Sequence, residues 1–226
     1  KLTETYVDLI QEYSKKEIDT LLHFACGAGL NDYTLKNHFQ VSGVDLSQGM
    51  LQIARKLNPE VSYQHGDMRT IQLNQTFDAV IVPDSIGYMV TRDDLQRLLN
   101  NVHRHLNPDG IFLLVILPRE EFRDNNFAYS GTRDDVRVTV FENNVMPEPE
   151  SEFYEATMFY TIRRGSTLET YHEVHTLGLF PMEDWERLLT GTGFEIVHSG
   201  IQRTYQQFLL EEGDYPERVL VCRKSG

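Results

Sequence analysis

The chain predicts an α/β fold: a largely parallel sheet with helices on both faces, and a smaller antiparallel β segment beside it. Three observations carry this. Continuous apolar runs alternate with stretches of helical periodicity through the first half of the chain. The first of these runs, LLHFA from 21 to 25, stops on a turn with two closely spaced glycines, Gly27 and Gly29. Between about 120 and 177 the pattern changes to short alternating segments rich in aromatic residues.

The elements follow in order. TYVDLIQEY (5 to 13) spaces Tyr6, Leu9, Ile10 and Tyr13 as one helical face, and IDTLLHFA then forms a buried strand running into the glycine turn. A short helix is expected from about 31 to 37, and a second strand, VSGVDLS (41 to 47), ends on Asp45. Ser47 is placed to cap the next helix, whose expected apolar stripe is Met50, Ile53, Ala54 and Leu57, with Pro59 just past its end. EVSYQHGDM reads as a short third strand leading to Gly66 and Asp67, and FDAVIV as a fourth that halts at Pro83. Thr91 opens TRDD, a near capping box, ahead of a helix with Leu95, Leu98, Leu99, Val102 and Leu106 on one face. NPDG then turns the chain into a fifth strand, IFLLVIL.

In the aromatic segment, VRVTVFE, FYEATMFYTIRR and LETYHEVHTLGL are expected to pair antiparallel, separated by PEPE and RRGST. PMEDWERLL resumes helical spacing behind a proline, and FEIVHSG and RVLVCRK read as two closing strands. This divides the chain into residues 1–119, a β insertion over 120–177, and a C-terminal part, 178–226, that returns to the first sheet.

At 226 residues with 40% hydrophobic composition, the chain can bury one substantial core. A net charge of −13 repels phosphate backbones and anionic lipid, which argues against nucleic acid as a partner. Cys26 and Cys222 suggest neither a disulfide framework nor a metal cluster, and the acidic runs EPESE and EEGDYPE read as solvated loops, so no metal is expected. The longest uncharged apolar runs are less than half of a membrane span of ~20 residues. With no charged-then-apolar leader ahead of the core, a cytoplasmic location is the expectation.

The glycine turn carries the first functional signal. Backbone amides between a first strand and its helix point out of the carboxyl edge of the sheet, where open α/β folds hold ligands, and glycine permits close approach. Asp45, closing the next strand, is placed to accept hydrogen bonds from two ribose hydroxyls. A nicotinamide dehydrogenase needs G-x-G-x-x-G, and no third glycine follows Gly29 at the helix start. A nucleoside without phosphates, such as S-adenosylmethionine, fits this turn better than a dinucleotide.

The order HFACGAG, GVDLS, HGDM, FDAVIVPDSIGYM and LNPDGIFLLVIL resembles a class I S-adenosylmethionine-dependent methyltransferase over about residues 18 to 118. The resemblance implies a Rossmann-like, doubly wound, seven-stranded sheet whose last strand is antiparallel, which the closing helix and two strands would complete. Within that family, the ACGxG turn, the GYM after the fourth strand and the EVHTLGLF that ends the insertion resemble small-molecule N-methyltransferases acting on the amino groups of nucleotide-linked deoxysugars. By this resemblance the methionine part of the cofactor lies over Ala25, Cys26, Gly27, Ala28 and Gly29, and its ribose on Asp45. Leu46 and Met50 would pack on the adenine, Asp67 would accept from its amino group, Met68 would meet the ring edge, and the Pro83 carbonyl would help hold the cofactor amino group. His23 stands where the family usually has an acidic residue, and Ala25 where it often has glycine. Tyr6 and Tyr13 stand for the cover that a longer leading segment supplies in the family.

For methyl transfer to an amine or hydroxyl of a small molecule, Asp84, Tyr88 and His175 are the candidates to orient the acceptor or relay its proton. The insertion would roof the acceptor pocket, with arginines 119, 123, 133, 137, 163 and 164 as a candidate rim for a phosphorylated substrate. Two alternatives stand beside this reading: a catalytically inactive methyltransferase-like binding module, and the dehydrogenase. A homodimer is left open.

Overall fold

A computed structural model describes residues 2–225. The apolar runs of the first half become strands buried on both faces, and the helical stripes cover them. Helix α1 (Leu2–Tyr13) leads into β1 (Thr20–Phe24), α2 (Asp32–Leu35), β2 (Gln40–Asp45), α3 (Gln48–Leu57) and β3 (Ser62–His65). β4 (Phe77–Val82), α4 (Arg92–His105) and β5 (Leu106–Ile116) complete this half. Four strands follow, β6 (Asn125–Arg133), β7 (Val136–Val145), β8 (Phe153–Arg164) and β9 (Thr167–Gly178), and then α5 (Met182–Thr192), β10 (Phe194–Gln202) and β11 (Glu217–Lys224).

The main sheet has seven strands in the order β10-β11-β5-β4-β1-β2-β3. β1 to β5 pair in parallel, whereas β11 runs antiparallel to both β5 and β10. A reversed β11 has a consequence for the site: its first residues share an edge with the carboxyl ends of the parallel strands, since Arg218 pairs with Ile116. β6-β7-β8-β9 form a separate antiparallel sheet of four strands. It meets the main sheet through Phe122, Tyr154, Ala156 and Leu179, a small core of its own.

Ser47 caps α3, accepting from the Met50 amide, and the Thr91 hydroxyl accepts from the Asp94 amide at the start of α4. Three expectations change. In α3 the core residues are Leu51 and Ala54, while Met50 and Ile53 are exposed, because the helix turns that flank toward a cavity and solvent. The antiparallel sheet gains a fourth strand, β6, whose NNFAYSGTR hides its alternation behind Asn, Ser and Gly. β5 begins earlier, at Leu106, so the NPDG turn is taken up within the strand with Asp109 at φ 59°.

Candidate active site

The turn after β1 is built from three left-handed residues, Ala25 (φ 54°), Gly27 (φ 54°) and Gly29 (φ 74°). Its two glycines serve different needs. A Cβ on Gly27 would meet nothing within 4 Å, so this position faces open space. A Cβ on Gly29 would lie 2.6 Å from the Tyr63 hydroxyl and 2.8 Å from Asn58 Nδ2, so this glycine lets the turn close onto the protein itself. Asp45 holds the front of the turn: its Oδ2 accepts from the Gly27 amide and its Oδ1 from the Ser47 amide, each at 2.7 Å. Behind the turn, His23 Nδ1 meets Asp32 Oδ1 at 2.6 Å, and Asp32 Oδ2 accepts from the Tyr63 hydroxyl at 2.8 Å. Asn58 links Tyr63 to the Gly29 carbonyl. His23 is thus tied to Asp32 of the following helix behind the turn, with both side chains buried.

In front of Gly27 lies a cavity of about 670 Å³. Ala25, Gly27 and Asp45 form one wall. Leu46 (65% exposed) and Met50 (46% exposed) give it an apolar flank. Asp67, Met68 and Arg69 close the far side, and Ser85, Tyr88 and Met89 the near end. The Asp67 carboxylate is gripped by Arg69 through Nε at 3.0 Å and a second nitrogen at 2.6 Å, and this guanidinium holds its pKa down. Arg69 also reaches Asp94 at 2.6 Å.

Cys26, Ala28, Gly29 and Pro83 do not line this cavity. Cys26 is buried beneath the turn, where burial, with the charges of Asp32 and Asp45, pushes its thiol pKa up, so it is no nucleophile. Tyr6 and Tyr13 do not cover the cavity either. The Tyr6 hydroxyl donates to Gln202 at 3.3 Å, and Tyr13 meets His198 at 3.0 Å. His172 stacks on Phe159 on the opposite face of β9 from His175. The arginines form no rim: Arg119 is paired with Glu150 and Arg164 with Glu169, and 133, 137 and 163 sit at the ends of the hairpins.

The cavity's near end meets the antiparallel sheet. Tyr88 is 47% exposed, and its hydroxyl lies 3.1 Å from His175 Nδ1. His175 Nε2 is 3.3 Å from Glu173 Oε1, which also accepts from the Tyr160 hydroxyl at 2.5 Å. His175 thus bridges the Tyr88 hydroxyl and the Glu173 carboxylate, one through each ring nitrogen. Burial raises the Tyr88 pKa, as do Glu173, Asp45 and Glu142, so it stays a phenol. Asp84, just beyond β4, is open to solvent yet crowded by protein, and desolvation raises its carboxyl pKa against the opposing pull of His23 and Asn31. Sequence reasoning missed Arg69, Asp32 and Glu173: Arg69 and Glu173 stand two residues from Asp67 and His175, a spacing that could have signalled them, whereas Asp32 meets His23 only in the fold.

A seven-stranded sheet with its last strand reversed, carrying an open cavity between an acidic β2 end and the β1 turn, defines the class I methyltransferase architecture. Residues 21–110 match the model of a methyltransferase domain. The chain is 31% identical over 194 residues to a dTDP-3-amino-3,6-dideoxy-alpha-D-glucopyranose N,N-dimethyltransferase of Streptomyces fradiae, covering 83% of this chain and 74% of that one. Among solved structures, Streptomyces venezuelae DesVI superposes with a TM-score of 0.81 at 25% identity, over 96% of this chain and 89% of that one. CalS10, an amino pentose methyltransferase from Micromonospora echinaspora solved with S-adenosylmethionine bound, shares the fold with a TM-score of 0.80 at 21% identity, over 99% and 90%. The chain belongs to the S-adenosylmethionine-dependent methyltransferase family. Neither the dehydrogenase nor the inactive module finds support. No helix among the described residues is long and apolar enough to cross a membrane.

Proposed function

We propose that the chain methylates the amino group of a nucleotide-linked deoxyamino sugar. The observation that carries this is the meeting of the cavity's near end with the antiparallel sheet at Tyr88 and His175, beside which the acceptor would lie, roofed by that sheet. The similarity to an amino-sugar N,N-dimethyltransferase supplies the acceptor class.

The residues present suit the cofactor. Gly27 offers an open backbone, each Asp45 oxygen keeps a lone pair for a ribose hydroxyl beyond its amide bond, and Leu46 and Met50 offer apolar surface to an adenine. Asp67 would accept from the adenine amine with the acceptor capacity Arg69 leaves, and Met68 would meet the ring edge. Cys26, Ala28, Gly29 and Pro83 would act through backbone rather than as walls of the cavity. S-adenosylmethionine, when bound, supplies a methyl group activated by its sulfonium charge. The protein's own share is then placement and exclusion of water, since an acceptor held ~3–3.5 Å from a reacting carbon gains most of what catalysis needs. The Tyr88 oxygen, beside His175, offers a lone pair to an acceptor N–H, and Asp84 offers a second acceptor from the end of β4. The β6–β9 segment is the roof of this space.

The two free, buried cysteines suit a reducing, cytoplasmic setting. As an assembly we propose a homodimer through the outer face of the antiparallel sheet. Phe141 and Phe159 are each 50% exposed there, Arg137 and Arg163 lie at one end of the face and Glu155 at the other, so a two-fold axis pairs opposite charges. Size-exclusion with light scattering tests the dimer.

The functional test is incubation with S-adenosylmethionine and dTDP-3-amino-3,6-dideoxyglucose, followed by mass spectrometry. Mono- and dimethylated product is expected; methylation confined to hydroxyl acceptors would contradict the reading.

A further inference from the structure

Several part-buried acidic side chains find cations: Asp67 and Asp94 share Arg69, Glu121 takes Arg218, and Asp184 takes Arg92 and Arg187. Three that carry no such partner converge beside the roofed space. Asp84 follows β4. Glu217 opens the reversed β11, so both stand at the carboxyl edge of the main sheet with only β5 between their strands. Their backbones therefore leave the sheet roughly 10 Å apart, two strand spacings. Glu142 comes from β7, where it accepts from the Tyr129 hydroxyl and from Asn144 at 2.8 Å. Among the described residues none of the three lies within ion-pair distance of a lysine, arginine or histidine.

Glu217 is the most enclosed of them at 9% exposed. Its Oε2 accepts from Gln202 Nε2 at 3.2 Å, and Gln202 Oε1 accepts in turn from the Tyr6 hydroxyl, while Oε1 of Glu217 accepts no hydrogen bond from the described residues. Burial pushes the Glu217 carboxyl up to about 7, and the charge of Asp84 adds to this against the Gln202 bond. A carboxyl so enclosed, without a cation, costs stability that packing does not return. Aromatic rings surround it. Phe127 of β6 meets Tyr215 edge-on at 5.0 Å and Tyr205 at 6.5 Å. Tyr154 packs on Phe122 at 4.7 Å. Tyr6, Tyr154, Tyr205 and Tyr215 all feel the Glu217 charge, and burial keeps each of them a phenol. Carboxylates walled by neutral aromatic faces are the chemistry that receives an organic ammonium ion.

We propose that Glu217, acting with Asp84, is the counter-charge that draws the acceptor amine into the roofed space as an ammonium ion and takes the proton it must lose before methylation. One N–H bond of the ammonium breaks, its proton passes to a Glu217 carboxylate oxygen, and the nitrogen keeps the electron pair that it then directs at the methyl carbon. A base working near neutrality suits this transfer. A hydroxyl acceptor, uncharged on arrival, gains nothing from Glu217. The inference rests on the N-methylation reading above and deepens it, by making charge the basis of acceptor choice.

The test compares dTDP-3-amino-3,6-dideoxyglucose with dTDP-6-deoxyglucose, which carries a hydroxyl at that carbon, in wild-type and Glu217→Gln protein. Wild type should bind the amine at least tenfold more tightly. In Glu217→Gln that ratio should fall toward one and KM for the amine should rise at least tenfold, with S-adenosylmethionine affinity unchanged. If Glu217→Gln does not fold, Asp84→Asn carries the same comparison. Wild-type turnover of the amine with the binding ratio intact in the variants overturns the role of Glu217 alone. Failure of wild type to methylate any amino sugar overturns the functional reading and takes this inference with it.

Discussion

The two sides of the roofed space are built on opposite electrostatic plans. On the donor side each carboxylate is tied down by short hydrogen bonds: Asp45 is held by two amides at 2.7 Å, Asp67 by Arg69, and Asp32 by His23 and Tyr63. On the acceptor side Asp84, Glu142 and Glu217 have neutral partners only, and desolvation raises the pKa of each. The donor side is thus complete before ligand arrives, a preorganised cradle whose geometry is paid for in folding. The acceptor side is left short of positive charge, which on the proposal above the acceptor ammonium would supply.

The largest effect that tests this contrast comes from the donor turn. Gly29→Ala should destabilise the fold by about 3 kcal/mol, because the new methyl meets Tyr63 and Asn58 and the left-handed backbone disfavours it. Gly27→Ala, facing open space, should lose only ~1 kcal/mol of stability, and urea titration of the two variants separates packing from ligand access. Equal losses would contradict the division of labour between the glycines. Asp45→Ala should weaken S-adenosylmethionine binding on the order of a hundredfold, ~2.7 kcal/mol by calorimetry, since it removes the ribose acceptor and releases the Gly27 and Ser47 amides together.

Glu217→Gln should show the opposite sign on stability. Its folded-state pKa is raised from 4.5 to about 7, so the group costs nothing below about pH 4.5, and the wild-type fold loses stability progressively as pH rises toward 7. The Gln variant escapes that loss, by on the order of 2–3 kcal/mol at pH 8 and by little at pH 4. Thermal melts at the two pH values check it, and a variant less stable than wild type at pH 8 would show that Glu217 is a structural anchor. Smallest of all, Tyr88→Phe should lower kcat about tenfold with little change in cofactor affinity, because it removes one hydrogen bond to the acceptor and to His175. An unchanged kcat would leave placement alone to explain the rate.

The same contrast runs through what could be read from the sequence. The donor side is local: an apolar strand, a glycine turn and an acid at the end of the next strand are spaced by the regular repeat of the fold, so Gly27 and Asp45 were legible without coordinates. Even there the partners of the turn were not, since Asp32 reaches His23, and Tyr63 reaches Asp32, only once α2 and β3 pack beneath it. The α3 stripe misled because amphipathic spacing does not tell a core face from a face that lines a cavity, and Met50 belongs to the latter. The acceptor side is assembled from α1, the residues after β4, β6, β7, β8, the residues before β11 and the start of β11 itself, and no periodicity links Tyr6, Asp84, Glu142 and Glu217. β6 itself was hidden by its polar strand residues, and with it the Phe127 that anchors the tyrosine wall.

The central claim is that Asp45 and the open face at Gly27 form the adenosine side of the site while the two-sheet space beyond Tyr88 receives the acceptor. A crystal structure with S-adenosylhomocysteine tests it most directly. The account predicts both ribose hydroxyls within hydrogen-bond reach of the Asp45 carboxylate and the sulfur directed toward Tyr88. A ligand seated elsewhere, with Asp45 bound only to its own backbone amides, would contradict it.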